Sequence, residues 1–299
     1  MRNSLVLLAI AGALISATAL TPAYAAARTD INISLQLEPP SLDPTTGGAA
    51  AAIREVTYGN IFEGLTRIDK DGNVQPLLAK TWDISPDGLT YTFHLQSGVK
   101  FSDGTPFTAD DVKYSLDTAR GDKSVNAQKQ LFAKIASVDV VDPQTVKVTL
   151  SGPQGDFLYD MGWGDAVIVS QKTAATNGTA PVGTGPYKLG TWVKGDHIDL
   201  VRNDSYWGTA PKLDKATFKF IADPTAATAA LLAGDVDVSP EFPSPESLGQ
   251  FRNDPRFVVN IGTTEGETVL AMNNGKAPLD NIKVREAIAH AIDRKAIID

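Results

Sequence analysis

Between Ala79 and Val112 the chain reads AKTWDISPDGLTYTFHLQSGVKFSDGTPFTADDV, and few local structures accommodate that order of residues. Leu89, Tyr91, Phe93 and Leu95 fall on one side of a period-2 segment. Thr90, Thr92, His94 and Gln96 fall on the other, the alternation of a half-buried strand. Pro86-Asp87-Gly88 supplies the preceding turn and Asp103-Gly104 a second one. Thr108, with Asp111 three residues later, predicts the capped start of a helix through Val112, Leu116 and Ala119.

The flanking sequence predicts a mixed α/β chain. Ile31, Ile33 and Leu35 alternate in a first strand that stops at Glu38-Pro39-Pro40, and residues 49–65 read as mostly helical. Asp71-Gly72-Asn73 suits a hairpin turn. A calcium loop is excluded there, because Gly72 comes too early and no glutamate follows at the twelfth position. Residues 139–150 form another alternating hairpin, turning at Asp142-Pro143. Residues 157–170 pass from a short apolar helix or turn into a strand, and a further hairpin turns at Lys194-Gly195-Asp196. Phe218 and Phe220 mark a strand, Asp223-Pro224 opens a helix that Gly234 closes, and Val236 and Val238 begin the next strand. This β-α-β order predicts a sheet that is at least partly parallel. Strands are also expected at residues 257–261 and 269–272. A last helix is expected to bury Ile282, Val284, Ile288 and Ile292.

Residues 1–25 read as a cleavable secretory leader, with Arg2 as the positive end, an apolar run from Leu5 to Leu20 and the small-x-small site Ala23-Tyr24-Ala25. That run is shorter than the ~20 residues of a spanning helix. A net charge of -8 argues against nucleic acid or an anionic membrane surface as the main partner. The chain contains no cysteine, which removes disulfides, thiolate metal sites, a cysteine nucleophile and a lipid-bearing cysteine. A periplasmic location follows as the expectation. The three histidines, His94, His197 and His290, have no metal-ligand spacing, so no metal or other cofactor is expected. Gly183-Thr184-Gly185 is an incomplete nucleotide-binding fingerprint, since Lys188 occupies its sixth position, and no G-x-S-x-G elbow occurs.

Four stretches in order carry a resemblance to one family: the segment from Trp82 to Val112; PVGTGPY at 181–187 with Tyr206-Trp207; AATAALLAGDVDV at 226–238; and LDNIKVREAIAHAIDRKAII at 279–298. Together they resemble the extracytoplasmic solute-binding proteins of family 5, which serve ABC importers of peptides, opines and nickel. The resemblance implies an α/β, periplasmic binding protein-like fold of two lobes with an extra inserted subdomain. Residues 26–65 and 176–270 would form lobe I, residues 66–175 the strand-rich insertion, and residues 271–299 the start of a second lobe that is incomplete here. It implies no enzyme activity and no cofactor. The expected partners are a small-molecule or peptide ligand and an inner-membrane ABC permease, with the protein itself a monomer.

Ligand-contact candidates come from the same implication. Gln36, Leu37 and Glu38 follow the first strand where the family's cleft lies, although a solvated loop carboxylate is the plain alternative for Glu38. Trp163, between two glycines, offers a stacking surface and Asp165 a carboxylate; core packing is the alternative for Trp163. An oligo- or dipeptide is the first choice of cargo, with opines, sugars, glutathione-like peptides and nickel chelates in the same family. A secreted hydrolase of glycans or peptides is the alternative from another class. A chaperone-like or signalling role is a third.

Overall fold

A computed structural model describes residues 28–48, 50–262 and 269–298. The expected leader at residues 1–25 lies outside them. Pro245 closes one compact unit and Glu246 begins another.

In the first unit, β1 (Asp30–Leu35) leads through a loop to α1 (Ala50–Thr57), shorter than the helix expected over residues 49–65. The chain turns instead at Gly59, which has a φ of 70° that only glycine adopts without strain. β2 (Thr66–Ile68) and β3 (Val74–Pro76) form a small antiparallel hairpin. The Asp69 carboxylate closes its turn by accepting the N–H groups of Asp71 and Asn73, both at 2.9 Å.

A first layer is built on β4 (Ala79–Ile84), β5 (Thr90–Leu95), α2 (Ala109–Arg120), β6 (Ile135–Asp142) and β7 (Thr145–Leu150). The strands pair in the antiparallel order β4-β5-β7-β6. Tyr91, Phe93 and Leu95 are buried and the intervening residues are not, so the alternation of the sequence is the alternation of the sheet. α2 buries Val112, Leu116 and Ala119 in the same core. Its first turn is closed where the Thr108 N–H donates to the Asp111 carboxylate at 2.9 Å. α3 (Phe157–Asp160) adds Phe157, whose ring lies 4.7 Å from that of Tyr91.

A second sheet carries β8 (Tyr187–Val193), β9 (His197–Arg202) and β10 (Lys215–Phe220), followed by α4 (Pro224–Ala233). Its order is β1-β10-β9-β8, with β1 parallel to β10 and the other pairs antiparallel. The sheet is partly parallel, as the β-α-β order implied, but its parallel contacts run through β1, which pairs with β10 and bridges to Val238, rather than directly between the two strands that flank α4. Asp223 caps α4 by accepting the Ala226 N–H at 2.7 Å, and Gly234 ends it at a φ of 79°. Val238 does not begin a strand but makes one parallel bridge to Ile33.

The two sheets have separate cores, and one segment serves both. Ala166 and Ile168 belong to the core under the β4-β5-β7-β6 sheet, whereas Val167 and Val169 belong to the core of the β1 sheet. An extended chain sends alternate side chains to opposite sides, which lets four residues fasten the two layers together. The strand expected at this position is reduced to a single bridge between Gly64 and Val167.

The second unit holds α5 (Leu248–Arg252), α6 (Ile282–Ala291) and α7 (Arg294–Ile298). Phe251 and Phe257 meet edge to face at 5.0 Å. The strands expected at 257–261 and 269–272 do not form, and Val258 and Val269 are 85% and 78% exposed. α6 buries no residue, against the expectation for Ile282, Val284, Ile288 and Ile292. Apolar alternation makes a strand only where another strand supplies its hydrogen bonds, and this unit pairs none among its described residues.

Candidate ligand-binding site

The loop leaving β1 is held from behind. The Glu38 carboxylate accepts the indole N–H of Trp192 at 2.9 Å and the backbone N–H of Gly195 at 3.0 Å, both from the β8–β9 hairpin. Lys194 sits 3.9 Å from the same carboxylate and 3.0 Å from the centre of the Trp192 ring. With both oxygens engaged, Glu38 fixes the path of its neighbours Gln36 and Leu37, which remain exposed.

Those two neighbours open on a cleft of about 660 Å³. Ile31, Ile33 and Leu35 of β1, Phe218 of β10 and Ala52 of α1 give it an apolar wall, and Glu55 and Glu241 give it a negative rim. The Gln36 amide donates to the Glu241 backbone carbonyl at 3.1 Å. Partial burial, followed by the charge of Glu241, lifts the Glu55 carboxyl above its ordinary range. Its volume suits a small organic solute.

Trp163 and Asp165 occupy a different place from the β1 loop, on the tight turn after α3. The Asp165 side chain is fully enclosed and paired with Arg54 of α1, while its second oxygen, Oδ1, meets no donor among the described residues. Burial raises the Asp165 carboxyl, opposed by the Arg54 charge. Trp163 is half-buried, and its indole N–H is likewise enclosed without an acceptor. The turn presses directly on Arg54: a Cβ at Gly164 would lie 2.5 Å from Arg54 Cδ and 3.2 Å from the Tyr58 ring. Tyr58 donates its hydroxyl to the Gly162 carbonyl, and the Asn126 amide donates to the Asp165 carbonyl at 2.9 Å. Sequence reading did not find Arg54. The available signal was a single guanidinium in the helical run AAAIREV, one turn before Tyr58.

The PVGTGPY stretch and the Tyr206-Trp207 pair meet at a residue that was also missed. Glu63 is 2% exposed, and its carboxylate accepts Thr184 Oγ1 at 2.8 Å, the Tyr206 hydroxyl at 2.8 Å and Trp207 Nε1 at 2.9 Å. Gly183 and Gly185 lie against the backbone just before Glu63, where a Cβ would fall 1.9 Å from the Ile61 carbonyl oxygen and 2.3 Å from that of Asn60. This motif is a structural lock. Three strong donors and near-complete burial keep this carboxylate occupied within the fold.

Comparison with known proteins agrees with this architecture. A family model described as bacterial extracellular solute-binding proteins, family 5 middle, matches residues 73–299. The glutathione-binding protein GsiB of Escherichia coli O157:H7 is 32% identical over 303 residues, covering 99% of this chain and 57% of its own length. The periplasmic binding protein DppA of Helicobacter pylori, solved with the peptide STSA, superposes with a TM-score of 0.80 at 30% identity, over 90% of this chain and 57% of that one. NikZ of Campylobacter jejuni, solved with Ni(L-His), gives a TM-score of 0.76 at 30% identity, over 91% and 55%. The chain therefore spans a little over half the length of the relatives it matches. Among the described residues no helix is long and apolar enough to cross a membrane.

Proposed function

The chain belongs to the bacterial extracellular solute-binding proteins of family 5, and from that premise we propose that it captures a small solute in the periplasm and delivers it to an inner-membrane ABC permease. An oligo- or dipeptide is the proposed cargo. A peptide offers main-chain donors and acceptors to an exposed loop and leaves its side chains to apolar pockets. Relatives whose names state glutathione, a tetrapeptide and a nickel–histidine complex support a small polar solute and leave its identity to experiment.

The observation that carries this reading is the β1 exit loop. Gln36 and Leu37 stand exposed at the mouth of a 660 Å³ cleft on a backbone that Glu38 anchors, the preorganised arrangement that lowers the entropic cost of capture. Gln36 and Leu37 are proposed to touch the solute, and Glu38 to hold them in place. Trp163 is proposed to supply an aromatic surface and Asp165 to act from beneath it.

A thermal-shift screen tests this reading. A solute bound only by the native state raises the melting temperature by mass action. Di- to pentapeptides, glutathione, opines, oligosaccharides and nickel chelates form the panel. A shift confined to one class identifies the cargo; turnover of any compound with no shift overturns the capture reading in favour of an enzyme.

A further inference from the structure

Arg54 is built differently from the other ion pairs of this protein. Its partner Asp165 is completely enclosed, while the Arg54 side chain keeps 24% of its surface in contact with solvent. Only Nη1 is spent on Asp165. Among the described residues no acceptor meets its Nε or Nη2 groups. A guanidinium has five N–H donors in a rigid fork and can serve two carboxylates at once, one on each edge. Here one edge is committed to a buried acid and the other is open.

The surroundings fix that geometry. The Gly162-Trp163-Gly164-Asp165 turn lies on the Arg54 stem so closely that a side chain at Gly164 would have to displace that stem, and Tyr58, one helical turn along, is tied to the same turn through the Gly162 carbonyl. The Asn126 amide holds the Asp165 backbone from the other side. A surface arginine ordinarily loses much side-chain entropy on binding an anion, but this one is already ordered. Asp165 also offsets most of the cost of withdrawing the guanidinium from water. The turn contributes two further polar atoms without protein partners, Asp165 Oδ1 and Trp163 Nε1. Its hydrogen-bonding capacity is therefore not used up by the fold.

We propose that Arg54 receives a carboxylate of the captured solute, and that Asp165 is the positioning residue that holds the guanidinium for it. The cargo is accordingly an anionic or zwitterionic solute with a free carboxylate, such as a peptide with an unblocked C-terminus. This rests on the capture reading above and deepens it by assigning the group that is recognised.

The test uses purified protein and paired probes, Ala-Ala and glutathione, each as free acid and as C-terminal amide, with affinities from calorimetry. The parent is expected to prefer the free acid by ~10–100-fold, the range for charge-assisted hydrogen bonds to a carboxylate. Arg54→Gln should abolish that preference by weakening the free acid far more than the amide, and Arg54→Lys should keep only part of it, because a lysine lacks the fork. Arg54→Gln strands a buried Asp165 and can unfold the protein, so the double variant Arg54→Gln/Asp165→Asn, which removes both charges and keeps the shapes, is measured beside it. Loss of the preference in either folded variant supports the assignment. Free acid bound as tightly by the folded double variant as by the parent overturns it and leaves the capture reading standing. No binding of any probe by the parent overturns both for this class of solute.

Discussion

The carboxylate of Glu38 accepts the indole N–H of Trp192 at 2.9 Å, joining the loop after β1 to the β8–β9 hairpin across 154 positions of sequence. The same carboxylate takes the Gly195 N–H, so one side chain closes the hairpin tip and sets the loop that carries Gln36 and Leu37. Charged groups at loop ends usually face water, but this one is three-quarters withdrawn and doubly bonded.

Replacing Glu38 with Ala or Trp192 with Phe should each cost about 1–2 kcal/mol of stability, the range for hydrogen bonds to a charged, partly buried group. The two losses should not add: a double-mutant cycle by chemical denaturation is expected to return a coupling of about 1 kcal/mol. Additive losses would mean that the contact holds nothing.

Gly183 and Gly185 are expected to tolerate no side chain. Gly185 donates its N–H to the Ile61 carbonyl at 2.9 Å, and this close pairing leaves its Cβ position 2.3 Å from the Asn60 oxygen. A contact with backbone cannot be relieved by a rotamer change, so Gly183→Ala or Gly185→Ala should cost about 3 kcal/mol or more, or abolish soluble expression. Gly155→Ala, at a position where an added Cβ meets nothing within 4 Å, is the control and should express normally.

Much of the fold was legible because its causes are local. Tyr91, Phe93 and Leu95 point into one core because a strand alternates, and Asp223 and Gly234 bound α4 because their backbone chemistry suits helix ends. The order of elements implied a partly parallel sheet but not that β1 would lie between β10 and Val238 and supply both parallel contacts. The strand reading failed at Val258 and Val269, where the alternation was present and the pairing partner was not. The candidate site was legible only as positions. Gln36, Leu37, Glu38, Trp163 and Asp165 were chosen by resemblance, and the structure shows that Glu38 and Asp165 are engaged by Trp192 and Arg54, 154 and 111 residues away. Glu63 left no local mark at all. Its three donors lie 121 to 144 residues downstream, and nothing in the sequence around a lone glutamate reports who will meet it.

That carboxylate supplies a pH signature. Burial lifts Glu63 above its ordinary value of 4.5, against the three donors that favour its ionised form. Between 4.5 and the raised native value, the folded protein holds more protons on this group than the unfolded chain does. Stability must therefore fall as pH rises through that window and level off above it, with a slope from this one group of at most about 1.4 kcal/mol per pH unit. Glu63→Gln should flatten that part of the profile. Its amide oxygen can keep Thr184 and Trp207, and its NH₂ can donate to Tyr206 once the phenol hydroxyl turns round, so its stability near pH 7 should stay within about 1 kcal/mol of the parent. Glu63→Ala leaves three enclosed donors unpaired and should lose about 2–4 kcal/mol. Denaturant melts of the three proteins from pH 4 to pH 8 read all of this directly. If the Gln variant keeps the parent's slope, the signature belongs to another group, and Glu63 holds no more protons in the folded protein than in the unfolded chain.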